Sequence, residues 1–215
     1  MDLTHGSLST PVLISGWLLL GLFVLHACRR NGMRSLAGLF GSHLFLAALV
    51  ALLGLWQLRA VTTQGIALHV LGATLLQLMF GWRAALIGLC LVLAAHTANG
   101  AGDWPAFGVN AAITVIVPVM VSAAVLAVVL RFLPGEPFAY ILLGGFAAGG
   151  LAMLCSWSAS LAVLLSASSL DGEQLLSQFG MSGILLLFPE AFLNGALCAW
   201  LAMFYPSAVS TWRAR

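Results

Sequence analysis

The chemistry open to this 215-residue chain rests on few side chains: five histidines, six carboxylates and four cysteines. The cysteines (Cys28, Cys90, Cys155 and Cys198) stand singly inside apolar runs with no CxxC pair, and read as small buried hydrophobes. The histidines carry more. His5, His69 and His96 are joined by Asp103 and Asn110, which follow closely on the last of them. Imidazole nitrogen with carboxylate or amide oxygen suits divalent transition metals such as Ni, Co, Zn or Cu(II). The soft donor set that Cu(I) needs is weaker, because the seven methionines are scattered. Each residue also has an ordinary explanation: an interfacial His near a helix end, a solvated loop acid for Asp103, a helix cap for Asn110. Glu190 differs, because it lies deep in an apolar run, where an ionisable group is costly and a functional candidate by default. Asn194, at i+4, shares its helix face and can hydrogen-bond it. The pair is either part of a transport path or a structural contact between helices. There is no HExxH, GxSxG, Walker loop or paired acidic motif. The chain is expected not to be an enzyme, and energised transport would need another subunit to handle nucleotide.

The elements that position these residues are dictated by lipid. Hydrophobic residues make up 62% of the chain and charged ones only 7%, against roughly a quarter charged in a soluble domain. A net charge of +2 is too small to point to nucleic acid. The expected fold class is all-α, a polytopic integral membrane helical bundle forming one domain over residues 1–215, with no Pro- or Ser-rich linker. A span needs about 20 apolar residues. The runs 11–28, 36–58, 66–81, 84–98, 109–130, 138–165 and 181–205 give about seven transmembrane helices, the third and fourth of them short. Continuous rather than alternating runs argue against a β-barrel. Asp2 and His5 open the chain in place of a basic stretch, so no cleaved signal is expected. Gly145 and Gly149, with Ser156, Ser158, Ser160, Ser166 and Ser168, read as helix-contact residues.

The arginines test this topology independently. Arg29, Arg30, Arg34, Arg83, Arg131, Arg213 and Arg215 fall on one side of the seven-span arrangement, and Arg59 alone on the other. The positive-inside rule then puts the amino terminus outside and the carboxyl terminus in the cytoplasm. Asp2, Asp103, Asp171 and Glu173 fall outside. His5, His69 and His96 gather at the outer face, while His26 and His43 lie towards the inner one. Glu190 sits near mid-depth, about ten residues into the last span at ~1.5 Å per residue.

Four stretches carry a family likeness. They are Met1-Asp2-Leu3-Thr4-His5-Gly6-Ser7-Leu8-Ser9; Leu68-His69-Val70-Leu71-Gly72-Ala73 with Phe80-Gly81-Trp82; His96 through Asn99-Gly100 to Gly108-Val109-Asn110; and Pro189-Glu190-Ala191-Phe192-Leu193-Asn194-Gly195. Their order resembles the substrate-binding membrane components of cobalt and nickel energy-coupling-factor transporters, the CbiM/NikM type. The resemblance covers most of the chain. It implies a bacterial inner-membrane permease, a divalent metal as substrate, and ATPase and transmembrane coupling subunits as partners alongside membrane lipid. His69 matches the family's second ligand position. In the nickel and cobalt members a His directly follows the initiator Met, whereas Asp2 stands there in this chain and the His is at position 5. His96 has no counterpart among the family's ligands. The expected function is thus metal-ion uptake through an outer site of His5, His69, His96, Asp103 and Asn110, with Glu190 and Asn194 on the path inward. Two other functions fit the residues: haem binding with His69 and His96 as axial ligands, and a non-transporting membrane assembly factor or scaffold.

Overall fold

The structure is a computed structural model and describes residues 3–4, 6, 8–29, 38–61, 67–167 and 172–212. In chain order the elements are α1 (Thr10–Cys28), α2 (His43–Gln57), the two-residue strands β1 (Ala60–Val61) and β2 (Ala67–Leu68), α3 (Ala73–Phe80), α4 (Trp82–Ala98), α5 (Phe107–Phe132), α6 (Pro137–Ser166) and α7 (Gly172–Phe204). Helices α1, α5, α6 and the Leu185–Phe204 part of α7 are long and apolar enough to cross a membrane. Helices α2 and α4 are apolar but shorter, at 15 and 17 residues. A helical membrane bundle is therefore what forms, with α1, α4, α5 and α6 falling close to the expected runs.

The third run departs from expectation. A helical span over 66–81 does not form. Its first part belongs to an antiparallel ladder pairing Ala60 with Leu68 and Val61 with Ala67. Only the eight residues of α3 are helical. At ~1.5 Å per residue that is about 12 Å, too short to cross a hydrocarbon core of about 30 Å. Non-helical backbone is tolerated at such depth only where protein covers it. It is covered here: Ala67, Leu68, His69, Leu71 and Gly72 are all buried.

Small residues let the long helices touch. A Cβ on Gly16 of α1 would lie 2.6 Å from the Val109 nitrogen of α5. Between α6 and α7, a Cβ on Gly145 would lie 3.1 Å from Gly195 Cα, and one on Gly149 3.2 Å from Asn194 Cβ. Both glycines are helix-contact residues, as their sequence setting implies. Helix α5 carries a π-turn over Ala112–Ile116, just before Pro118. Pro118 has no N–H to offer the Ile113 carbonyl in that register. The Ser156 hydroxyl of α6 donates to it instead, at 2.6 Å.

Contacts sort the helix ends into two groups. At one end His26 of α1 stacks on Trp82 of α4, with centroids 5.6 Å apart. There the tail after α7 also closes α3: Ser210 N–H donates to Met79 O, the Thr211 hydroxyl donates to Leu78 O, and the Tyr140 and Thr211 hydroxyls are 2.6 Å apart. At the other end Arg59 donates to Ala101 O at 2.7 Å, and Leu3 lies against Asn110.

Candidate metal centre

His69 sits on the extended segment between β2 and α3, and His96 in the last turn of α4. Both are buried, 1% and 0% exposed, and their ring centroids are 5.8 Å apart. Trp56, near the end of α2, packs against both, 4.5 Å from His69 and edge-on at 5.7 Å from His96. Three segments distant in sequence thus meet in one aromatic cluster.

The partners of each imidazole set its tautomer. His69 Nδ1 lies 3.1 Å from the Val70 carbonyl, which can only accept. In the neutral ring Nδ1 then carries the proton and Nε2 the lone pair, the arrangement in which a metal-ligating imidazole is usually held. For His96 the polarity is reversed. Gln57 Nε2 donates to Leu53 O at 3.3 Å and faces His96 Nδ1 at 3.4 Å. That orientation makes His96 Nδ1 an acceptor. Ligation through Nε2 of His96 then requires the Gln57 amide to turn and present its oxygen.

The segment carrying His69 is gripped from two sides. Trp56 Nε1–H donates to the Leu71 carbonyl at 3.1 Å. Glu190 Oε2 accepts the Leu71 N–H at 2.6 Å, and Oε1 accepts the Gly72 N–H at 2.9 Å. Asn194 Nδ2 donates to Glu190 Oε1 at 2.7 Å, while Asn194 Oδ1 accepts the Leu75 N–H at 2.7 Å. These acceptors satisfy amides that the start of α3 leaves without intrahelical partners. They also set a carboxylate at the positive end of that helix. Gly72 is required at the junction. It has φ +66°, and a Cβ there would run into the Leu52 side chain.

The remaining candidates fall differently. Asn110 does not cap α5, which starts at Phe107 with Ala106 before it. Its amide clasps Leu3 instead: Oδ1 accepts the Leu3 N–H at 2.8 Å, and Nδ2 donates to the Leu3 carbonyl at 3.0 Å. Asp103 is half-buried in the loop after α4. Among the described residues no three of His, Cys, Asp and Glu converge closely enough to hold a metal ion, so Asp103 does not complete a three-donor set with the histidine pair. His5 lies outside the described residues. His43 is exposed at the start of α2, and His26 is at the other end of the bundle. Trp56 and Gln57 were invisible as site residues in the sequence, being an ordinary apolar residue and an ordinary helix-end amide. Gly72 was the one local signal of a break.

A family model described as the cobalt uptake substrate-specific transmembrane region, CbiM, matches residues 2–208. The chain belongs to the CbiM family. It is a transmembrane component of metal uptake and not an enzyme. Two solved structures share its fold. One, a truncated transition metal transporter, is 17% identical over 94% of this chain and 99% of that one, with a TM-score of 0.72. The other, a transition metal transporter, is 17% identical over 94% of this chain and 93% of that one, with a TM-score of 0.69. No curated protein matches this CbiM chain.

Proposed function

We propose that this CbiM-family chain captures a divalent transition metal ion (Ni, Co, Zn or Cu) at the end of the bundle where His69 and His96 meet. The observation that carries the reading is the buried pair, with ring centroids 5.8 Å apart and His69 Nδ1 held against the Val70 carbonyl. His5 supplies a further donor from the amino-terminal segment, while Asp103, in the loop after α4, stays outside a three-donor set with the pair. Asn110 contributes by seating the amino-terminal segment through Leu3. The ion then moves inward past Glu190 and Asn194, along the broken third segment; transporters commonly place substrate beside such half-helices. By the positive-inside argument this end faces outward, the amino terminus is external and the carboxyl terminus cytoplasmic. The membrane is the bacterial inner membrane, and ATPase and transmembrane coupling subunits supply the energy, since the chain has no nucleotide-binding motif.

The haem alternative loses ground on geometry. Axial ligation needs two imidazoles on opposite faces of a porphyrin, and Trp56, packed against both rings, stands beside them where the macrocycle would extend. Metal analysis of the purified chain, followed by titration with Co(II), Ni(II), Zn(II) and Cu(II), tests the reading. One ion bound per chain and lost on His69→Ala is expected. Failure of all four to bind would refute it.

A further inference from the structure

The deep carboxylate has a second consequence for the same site. Leu71 lies two residues beyond His69, and both of its backbone polar groups are taken by side chains from different helices: its N–H by Glu190 of α7, its carbonyl by Trp56 of α2. Packing buries Leu71 completely, but apolar contact alone does not fix the position of a non-helical backbone. At its α3 end the segment borders an apolar cleft of about 400 Å³ between α2, α3 and α7, which Gly72 lines with Leu52, Leu75, Leu76, Leu193 and Asn194 among others. Hydrogen bonds from two helices, added to the packing, set where the buried imidazole stands.

We propose that Glu190 is a positioning residue for the metal centre: by receiving the Leu71 and Gly72 amides it fixes where His69 presents its imidazole to the ion. This rests on the proposed site at His69 and assigns Glu190 a role beyond lying along the path. The chemistry of the clamp is specific. Each hydrogen bond the carboxyl group receives comes from an N–H: Leu71, Gly72 and Asn194. A carboxylate accepts all three. A Gln side chain must set its own NH₂ against one of them. Turning Asn194 to receive that NH₂ only passes the mismatch on, because Asn194 Nδ2 would then face the Leu75 N–H. Glu190→Gln, usually a conservative change, is disruptive at this position.

The test uses the full chain purified in detergent, with Co(II) as the probe and amide hydrogen exchange over residues 69–76 as a second readout. Glu190→Gln is expected to keep the helical circular dichroism of the wild type. It should bind Co(II) at least tenfold more weakly, alter the visible spectrum of the bound ion, and speed exchange at Leu71 and Gly72. Trp56→Phe, which removes the other tether, should shift both readouts in the same direction. Asn194→Ala should do so less, because the carboxylate keeps its two backbone donors. Wild-type affinity, spectrum and exchange in Glu190→Gln would overturn the proposal. So would weaker binding with an unchanged Co(II) spectrum, the mark of a general loss of stability. Should Glu190→Gln fail to fold, the other two variants decide in the same way. Should the wild type bind no Co(II), the metal site fails as a function, and the exchange rates alone decide whether Glu190 is the clamp.

Discussion

Replacing Asn110 with Ala removes both hydrogen bonds that hold the Leu3 backbone, at 2.8 and 3.0 Å. Leu3 is 1% exposed, so the two peptide groups lose partners inside the protein. Left buried and unmade, each would cost about 1–3 kcal/mol. The amino-terminal segment has a cheaper course, which is to leave its seat and let water satisfy both groups. The side chain of Leu3 opposes this, since its burial contributes about 1.5–3 kcal/mol. Two intramolecular hydrogen bonds at about 1 kcal/mol net each sum to about 2 kcal/mol, or roughly 30-fold in the docked-to-undocked ratio.

Hydrogen exchange over residues 3–8 measures that ratio, and Co(II) titration of the same sample measures its consequence. Asn110→Ala should raise exchange at Leu3 roughly 30-fold and weaken Co(II) binding by a comparable factor if His5 is delivered by this segment. Asn110→Asp should rescue nothing. It keeps an acceptor for the Leu3 N–H but turns a second acceptor towards the Leu3 carbonyl. Unchanged exchange in Asn110→Ala would refute the clasp. Faster exchange with full metal affinity would keep the clasp and remove His5 from the site.

The other expectations concern the histidines, the topology and one helix contact. His69→Ala and His96→Ala should each weaken metal binding more than His26→Ala or His43→Ala, and affinity in the wild type should fall on acidification, because imidazoles ligate only when deprotonated; titrations of the four variants and a pH series check both, and a reversed ranking refutes the placement of the site. Reporter fusions at Arg34 and Asp103 should report opposite compartments, and the same compartment for both removes the proposed topology. Gly149→Ala puts a methyl 3.2 Å from both the Glu190 carbonyl oxygen and Asn194 Cβ, which should part α6 from α7 at a cost of about 1–3 kcal/mol. That is a fall of about 2–4 °C per kcal/mol in a thermal melt; a wild-type melting temperature would mean the contact yields freely.

The longer helices were legible because lipid imposes a single rule on each: enough consecutive apolar residues to cross, ended by polar ones. That rule reads composition over a window, and it gave α1, α5 and α6 nearly to the residue. It misread 66–81 because an apolar run reveals that a segment is buried, not what its backbone does there. The backbone is decided by groups far away in the sequence. Glu190, 119 residues on from Leu71, satisfies the amides that an extended entry into α3 leaves bare. Only Gly72 hinted locally at the break, and a glycine in a membrane run has packing as its commoner role.

The site shows the same division. Gathering His69 with His96 followed from topology alone, since both fall at the ends of segments emerging on one side. What makes the two rings different did not follow. His69 takes its tautomer from the carbonyl of the next residue, a local fact that depends on an extended backbone and would be absent in the helix expected there. His96 takes its tautomer from Gln57, whose orientation is fixed in turn by Leu53 one helical turn back. The pairing of Glu190 with Asn194 could be read from their i+4 spacing, and the structure bears it out. Its purpose could not, because the carboxylate answers to the backbone of α3 and through it to His69. An ionisable residue in an apolar helix announces that something opposite needs a charge or a hydrogen bond. In this chain what lies opposite is the unpaired start of a half-helix, so the deepest acid and the buried histidines belong to one connected arrangement.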